Sequence, residues 1–72
     1  MGGGELQHLC EMANQIAANF SFHDDQVERI ADHIQRFWAP SMRRKLAAHI
    51  DQDGAEGLEA AVVAAMGHVR TQ

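Results

Sequence analysis

QVERIADHIQRFWAPSMRRKLAAHI, residues 26–50, is the stretch whose reading decides the fold. Val27, Ile30, Ala31, Ile34, Phe37 and Trp38 recur at intervals of three and four, which stacks them on one face of an α-helix running to about Trp38. Arg36 sits late enough to complement the negative end of that helix. Pro40 stops it, because proline lacks an amide hydrogen and disfavours helical geometry at the preceding residue, Ala39. Ser41 is then placed to cap a short further helix ending near Gln52, with Met42, Leu46 and Ile50 inward and Arg43, Arg44 and Lys45 mostly outward.

Outward from this pair, the same period recurs on both sides. Upstream, Leu6, Leu9, Ala13, Ile16 and Phe20 predict a first helix from Glu5 to about Asn19. Residues 1–4, with Gly2, Gly3 and Gly4, read as a flexible leader to a single helical domain spanning 5–72. Ser21 to Asp25 breaks the pattern, and Asp24, Asp25 and Glu28 put negative charge where the next helix presents unpaired amides. Downstream, Asp53 and Gly54 signal a turn, and Glu56 three residues after Asp53 has capping-box spacing. A fourth helix is expected from about Ala55 to Arg70, with Leu58, Ala61, Val62, Ala65, Met66 and Val69 as its stripe. No segment alternates with period two over a useful length, so the fold class is all-α, a small bundle of about four short helices. Ala60, Ala61, Ala64 and Ala65 would let a neighbouring helix approach closely.

Seventy-two residues hold one small domain, which excludes multidomain enzyme architectures. Hydrophobic residues make up 46% of the chain, but twelve of them are alanine, so the core is modest and the isolated domain should be marginal. Chains of this size commonly draw on disulfides, a metal, self-association or a larger partner. Cys10 is the single cysteine, so no disulfide forms within the chain. With no apolar run near 18 residues and no signal peptide pattern, the expectation is a soluble, cytoplasmic protein with no membrane role. A formal charge of −4 argues against a protein that mainly neutralises nucleic-acid phosphates.

Tests for chemistry within the chain fail one by one. Cys10 and His8 are two apart on a helix and point in different directions, so a buried structural cysteine is the better reading. His8, His23, His33, His49 and His68 include no pair at four-residue spacing, which speaks against zinc and for polar helix surface and loop. His49, Asp51, Asp53 and Gly54 superficially resemble a calcium loop, but His49 replaces the first aspartate and Ala60 the closing glutamate. Asp24 and Asp25 are explained by the helix dipole. No catalytic residues, no metal site and no cofactor site are therefore assigned.

The unusual feature is the corner itself. Four of the six basic residues, Arg36, Arg43, Arg44 and Lys45, fall within ten positions, and no acid occurs between Asp32 and Asp51. Trp and Arg are over-represented in the energetic centres of protein interfaces. The expected partner-binding set is Arg36, Trp38, Pro40, Met42, Arg43, Arg44 and Lys45, with Trp38, Pro40 and Met42 at an apolar contact and the cations reaching acidic partner groups. The competing reading makes Phe37 and Trp38 core anchors and the cations a solvated face.

The run from Ala31 to Arg44, ADHIQRFWAPSMRR, resembles the delta subunit of NAD-dependent formate dehydrogenase. Met12 to Ile16 and Leu58 to Met66 are similar to that family's early and closing helices, so the resemblance covers about Leu6 to Met66. Ala39 stands where the family often carries aspartate, so an ion pair made there elsewhere is missing. The resemblance implies a non-catalytic accessory subunit of a cytoplasmic, molybdenum-dependent complex that oxidises formate and reduces NAD. It implies that the pterin, iron–sulfur clusters and flavin belong to larger subunits, with none in this chain. The implied partner is the large catalytic subunit, on which this chain would support assembly or stability of active enzyme. The alternatives are a freestanding helical regulatory protein, homo-oligomeric when isolated, and a small redox enzyme that would need an accessible, reactive Cys10.

Overall fold

The structure is a computed structural model and describes residues 2–71. Its four helices are α1 (Gly2–Asn19), α2 (Gln26–Phe37), α3 (Pro40–Asp53) and α4 (Ala60–Met66), with no strand among the described residues. Helix α1 touches the other three, and α4 lies most extensively against α2. The radius of gyration is 11.1 Å, close to the roughly 11 Å of a compact globule of this length.

The core takes one stripe from each helix. Leu9, Ala13, Ile16 and Ala17 of α1 meet Ile30, Ala31 and Ile34 of α2, Leu46 of α3, and Val62, Ala65 and Met66 of α4, with Val69 from the tail. Ile30, Ile34, Leu46 and Val62 are fully buried. The alanines act as expected where they face inward: Ala65 is fully buried and Ala61 half-buried. Ala60 and Ala64 face outward.

Helix ends follow local chemistry. Phe20 N–H is shared between the Ile16 and Ala17 carbonyls at 3.3 and 3.2 Å, and Gln26 Nε2 also donates to Ala17 O at 2.9 Å, closing α1. Ala39 is extended (φ −63°, ψ 149°), as a residue before proline should be, and Pro40 opens α3 where its missing amide hydrogen costs nothing. Gly54 ends α3 in the left-handed region (φ 70°), which glycine enters without steric cost.

Several boundaries differ from the sequence reading. Helix α1 is already running at Gly2, three residues before Glu5, which glycine permits at about 1 kcal/mol each relative to alanine; Met1 of the expected leader lies outside the described residues. Helix α4 is much shorter than Ala55 to Arg70. Gly54, Ala55 and Gly57 all have positive φ (70°, 64° and 83°), so the chain from Gly54 to Glu59 is a loop. Asp53 does not open a capping box, because it belongs to α3 and faces His49 instead. Ser41 is not the cap of α3 either; Ala39 holds that position and Ser41 is already inside the helix. Phe37 leaves the inner stripe: it is 71% exposed, while Trp38 is 5% exposed. The reason is spacing. Trp38, whose N–H still bonds Ile34 O, follows the buried Ile30 and Ile34 at a spacing of four and so shares their face, while its extended ψ of 139° turns the chain after it.

Candidate functional site

The corner between α2 and α3 is organised around Arg43. Its Nε donates to Arg70 O at 2.9 Å, and its Nη1 donates to Gln35 O at 3.1 Å and to Trp38 O at 2.9 Å. Gln35 and Trp38 carry the open carbonyls at the end of α2, so a guanidinium there satisfies acceptors and opposes the helix dipole together. Gln35 Oε1 in turn accepts from Arg70 N–H at 2.6 Å. One buried cation therefore ties the end of α2, the start of α3 and the C-terminal tail.

The seven residues expected at the partner contact separate into two groups. Arg43, at 8% exposure, and Trp38 lie inside the fold, which corrects the expectation that Arg43 points outward; three internal carbonyls hold it. Met42 is half-buried against the core. Arg36, Pro40, Arg44 and Lys45 are exposed. The charge on this surface is smaller than the sequence suggests. Arg36 pairs with Asp32 at 3.0 Å, one turn back on α2, and Lys45 pairs with Glu5 of α1. Arg44 makes no ion pair among the described residues.

A second polar assembly closes the loop from Gly54 to Glu59. Asn14 Nδ2 donates to Gly57 O at 2.8 Å, and Glu59 N–H donates to Asn14 Oδ1 at 2.9 Å. His49 faces the same loop, with Nδ1 3.1 Å from Asp53 Oδ2 and Nε2 2.7 Å from Glu56 O. Both neighbours are acceptors, so only the imidazolium makes both hydrogen bonds. The Glu56 carbonyl, then Asp53, accordingly raise the His49 pKa above its ordinary value, against burial. At 9% exposure, His49 corrects the expectation that all five histidines lie on polar surface and loop. The sequence signal for both residues was available: Arg43, Leu46 and His49 step by three along the inner side of α3.

Beside this loop lies an open groove of ≈ 400 Å³ lined by Leu6, Cys10, Asn14, His49, Glu56 and Gly57, among others. Cys10 is buried, and burial, followed by the Glu11 carboxylate, pushes its thiol pKa up. A thiol held protonated is a poor nucleophile, as a structural cysteine should be. Among the described residues, no three His, Cys, Asp or Glu side chains are grouped to hold a metal ion, and no helix is long and apolar enough to cross a membrane.

A different surface was missed in the sequence. Phe37 lies 4.9 Å from His33, His33 is 6.5 Å from Phe20, and Phe20 is 5.9 Å from His23, measured between ring centroids. Phe22, in the same turn as Phe20 and His23, is 97% exposed.

No curated protein and no solved structure matches this chain. A family model does: that of the NADH-dependent formate dehydrogenase delta subunit, FdsD, matches residues 8–66, a span that includes the α2–α3 corner, Asn14 and His49, and the chain belongs to that family.

Proposed function

We propose that this chain is a non-catalytic accessory subunit of a cytoplasmic NAD-dependent formate dehydrogenase. It docks on the large molybdenum-bearing subunit and supports assembly or stability of the active enzyme. The observation that carries this reading is the family match over residues 8–66. Formate oxidation, NAD reduction and the cofactors that perform them belong to the other subunits. A partner that binds only the cofactor-competent form of the large subunit raises its population by mass action, without chemistry of its own.

The α2–α3 corner supplies the contact. Pro40 and Arg44 present a rigid, positively charged edge, flanked by Arg36 and Lys45 and backed by Met42. Arg43 and Trp38 hold that edge in place from inside. Arg44 carries the greatest weight, because Arg36 and Lys45 already share their charge with Asp32 and Glu5. The test is to express the enzyme with its other subunits, with and without this chain, and measure formate-dependent NAD reduction and molybdenum per large subunit. Loss of activity and of molybdenum occupancy without the chain, restored by supplying it, is expected. Equal occupancy and activity in both preparations would refute the reading. Arg44→Glu should restore less than the unaltered chain while its helicity stays unchanged.

A further inference from the structure

His49 is a buried polar ring that ties α3 to the loop from Gly54 to Glu59. Its Nε2 reaches Glu56 O at 2.7 Å and its Nδ1 reaches Asp53 Oδ2 at 3.1 Å. A neutral imidazole has one donor and cannot serve both acceptors. It either gives up Glu56 O or turns a bare lone pair on Asp53, whose side chain is 58% exposed and can turn to water. In each case the tie to the loop loses its charge assistance. The loop itself resists closure. Gly54, Ala55 and Gly57 are all left-handed, and Ala55, at φ 64°, carries a side chain into a region that only glycine enters without steric cost. Strain of this kind persists only where neighbouring contacts hold it. Asn14, which bonds Gly57 O and Glu59 N–H, is a tie that does not titrate; His49 is one that does.

Movement of this loop has a consequence for α1. Glu56, Gly57 and His49 line the same groove as Leu6 and the buried Cys10, so a loop that lifts there uncovers the thiol. The charged and titratable groups around the ring are few. Asp53 faces it from α3 and Glu56 from the loop; α1 contributes Cys10 and Glu11 along this groove, and Glu5, paired with Lys45 of α3, lines the adjoining groove that His49 also borders. Carboxylates and lysines ordinarily titrate outside about pH 5.5–8.5, and burial, then the Glu11 carboxylate, push the Cys10 thiol up and away from that window. The other four histidines line neither groove. The Glu56 carbonyl, then Asp53, raise the His49 pKa while the loop is closed. The closed loop is therefore favoured below the open-loop value of about 6.5 and loses that advantage as pH rises through the closed-loop value.

We propose that His49 is a pH-sensitive latch on the loop from Gly54 to Glu59: protonated, it holds the loop in place, and neutral, it lets the loop open locally while the helices stay packed. The test is native-state amide exchange of the full chain, read as protection factors so that the pH dependence of the intrinsic rate is removed. Leu58 N–H, bonded to Ala55 O at 3.1 Å, and Glu59 N–H, bonded to Asn14, report the loop; Ile34 and Leu46 report the core. From about pH 5.5 to about pH 8.5, protection at Leu58 and Glu59 should fall at least about fivefold, the step from a charged to a neutral hydrogen bond. At about 1 M urea these two amides should keep their protection while Ile34 and Leu46 lose theirs, because local opening exposes little surface and global unfolding exposes much. His49→Gln should show the lower loop protection already at about pH 5.5 and keep it to about pH 8.5. Labelling of Cys10 by a neutral disulfide reagent, compared between the two chains at one pH to cancel the thiolate fraction, should be at least about fivefold faster in the variant at about pH 5.5 and within about twofold at about pH 8.5. Loop protection that stays flat with pH, or that falls as much in His49→Gln, overturns the latch. Urea sensitivity at Leu58 and Glu59 equal to that of the core overturns local opening, and equal Cys10 labelling of the two chains at about pH 5.5 overturns the uncovering of the thiol. The pH and urea series of the unaltered chain carry the test by themselves if His49→Gln fails to fold.

Discussion

Replacing Arg43 by methionine removes the guanidinium but keeps an unbranched apolar stem in the same space. The loss is three hydrogen bonds, to Gln35 O, Trp38 O and Arg70 O, of which the one to Trp38 is buried. At about 1–1.5 kcal/mol for each bond, allowing for water reaching the Arg70 side, the variant should lose about 3–4 kcal/mol. A domain of this length is expected to have about 4–11 kcal/mol in total, so the substitution removes a large fraction of it. For a domain of this size each kcal/mol moves the melting temperature by about 4–8 °C, so the midpoint followed by circular dichroism should fall by at least about 12 °C. Arg43→Lys keeps the charge but has a single point of donation, and should recover only about 1 kcal/mol. The outcome separates two roles for one residue. An arginine that serves a partner is dispensable to the isolated chain, whereas one that closes α2 is not. A shift below about 4 °C in the isolated chain would refute the structural role derived for Arg43.

Three further substitutions probe the loop from Gly54 to Glu59 and the residues that hold it. Asn14→Ala should cost about 1–2 kcal/mol and speed amide exchange at Glu59, because both hydrogen bonds to the loop are lost; unchanged exchange at Glu59 would rule Asn14 out as the clamp. Ala55, at φ 64°, pays a steric penalty that glycine does not, so Ala55→Gly should gain about 0.5–1 kcal/mol in urea unfolding after the entropy of the unfolded chain is counted; destabilisation would contradict the left-handed assignment. His49 has a raised pKa in the folded state, so its contribution is fully present below its unfolded value near 6.5 and is lost as pH rises through the folded value. Melts of the unaltered chain and of His49→Gln should therefore converge on going from about pH 5.5 to about pH 8.5, and a gap that widens with pH would reverse the sign assigned here.

The helices were legible because their inner residues recur at three and four, and because Pro40 and Gly54 act locally, each on its own backbone. What escaped the sequence depended on residues far away. Lys45 reads as part of a basic run until Glu5, forty positions earlier, is brought beside it. Asn14 is a polar residue on a helix until the loop at Gly57 closes over it. Phe37 and Trp38 are adjacent and both apolar, and both fit a three-and-four pattern; in the structure Trp38, four residues after the fully buried Ile34, goes in, and Phe37 stays out at the helix end. Arg43 escaped for a different reason. Its charge suggests exposure, but a cation just after a helix end reaches the open carbonyls of that end, here Gln35 O and Trp38 O, and needs no carboxylate to be buried; the third acceptor, Arg70 O, is brought in from the tail.

Native mass spectrometry of the formate dehydrogenase expressed with this chain tests the central claim most directly. A mass containing one or more copies of the chain bound to the large subunit at a fixed ratio, and reduced binding for Arg44→Glu, is the expected result. An intact, active enzyme whose large subunit never carries the chain, during assembly or after it, would contradict docking as its function.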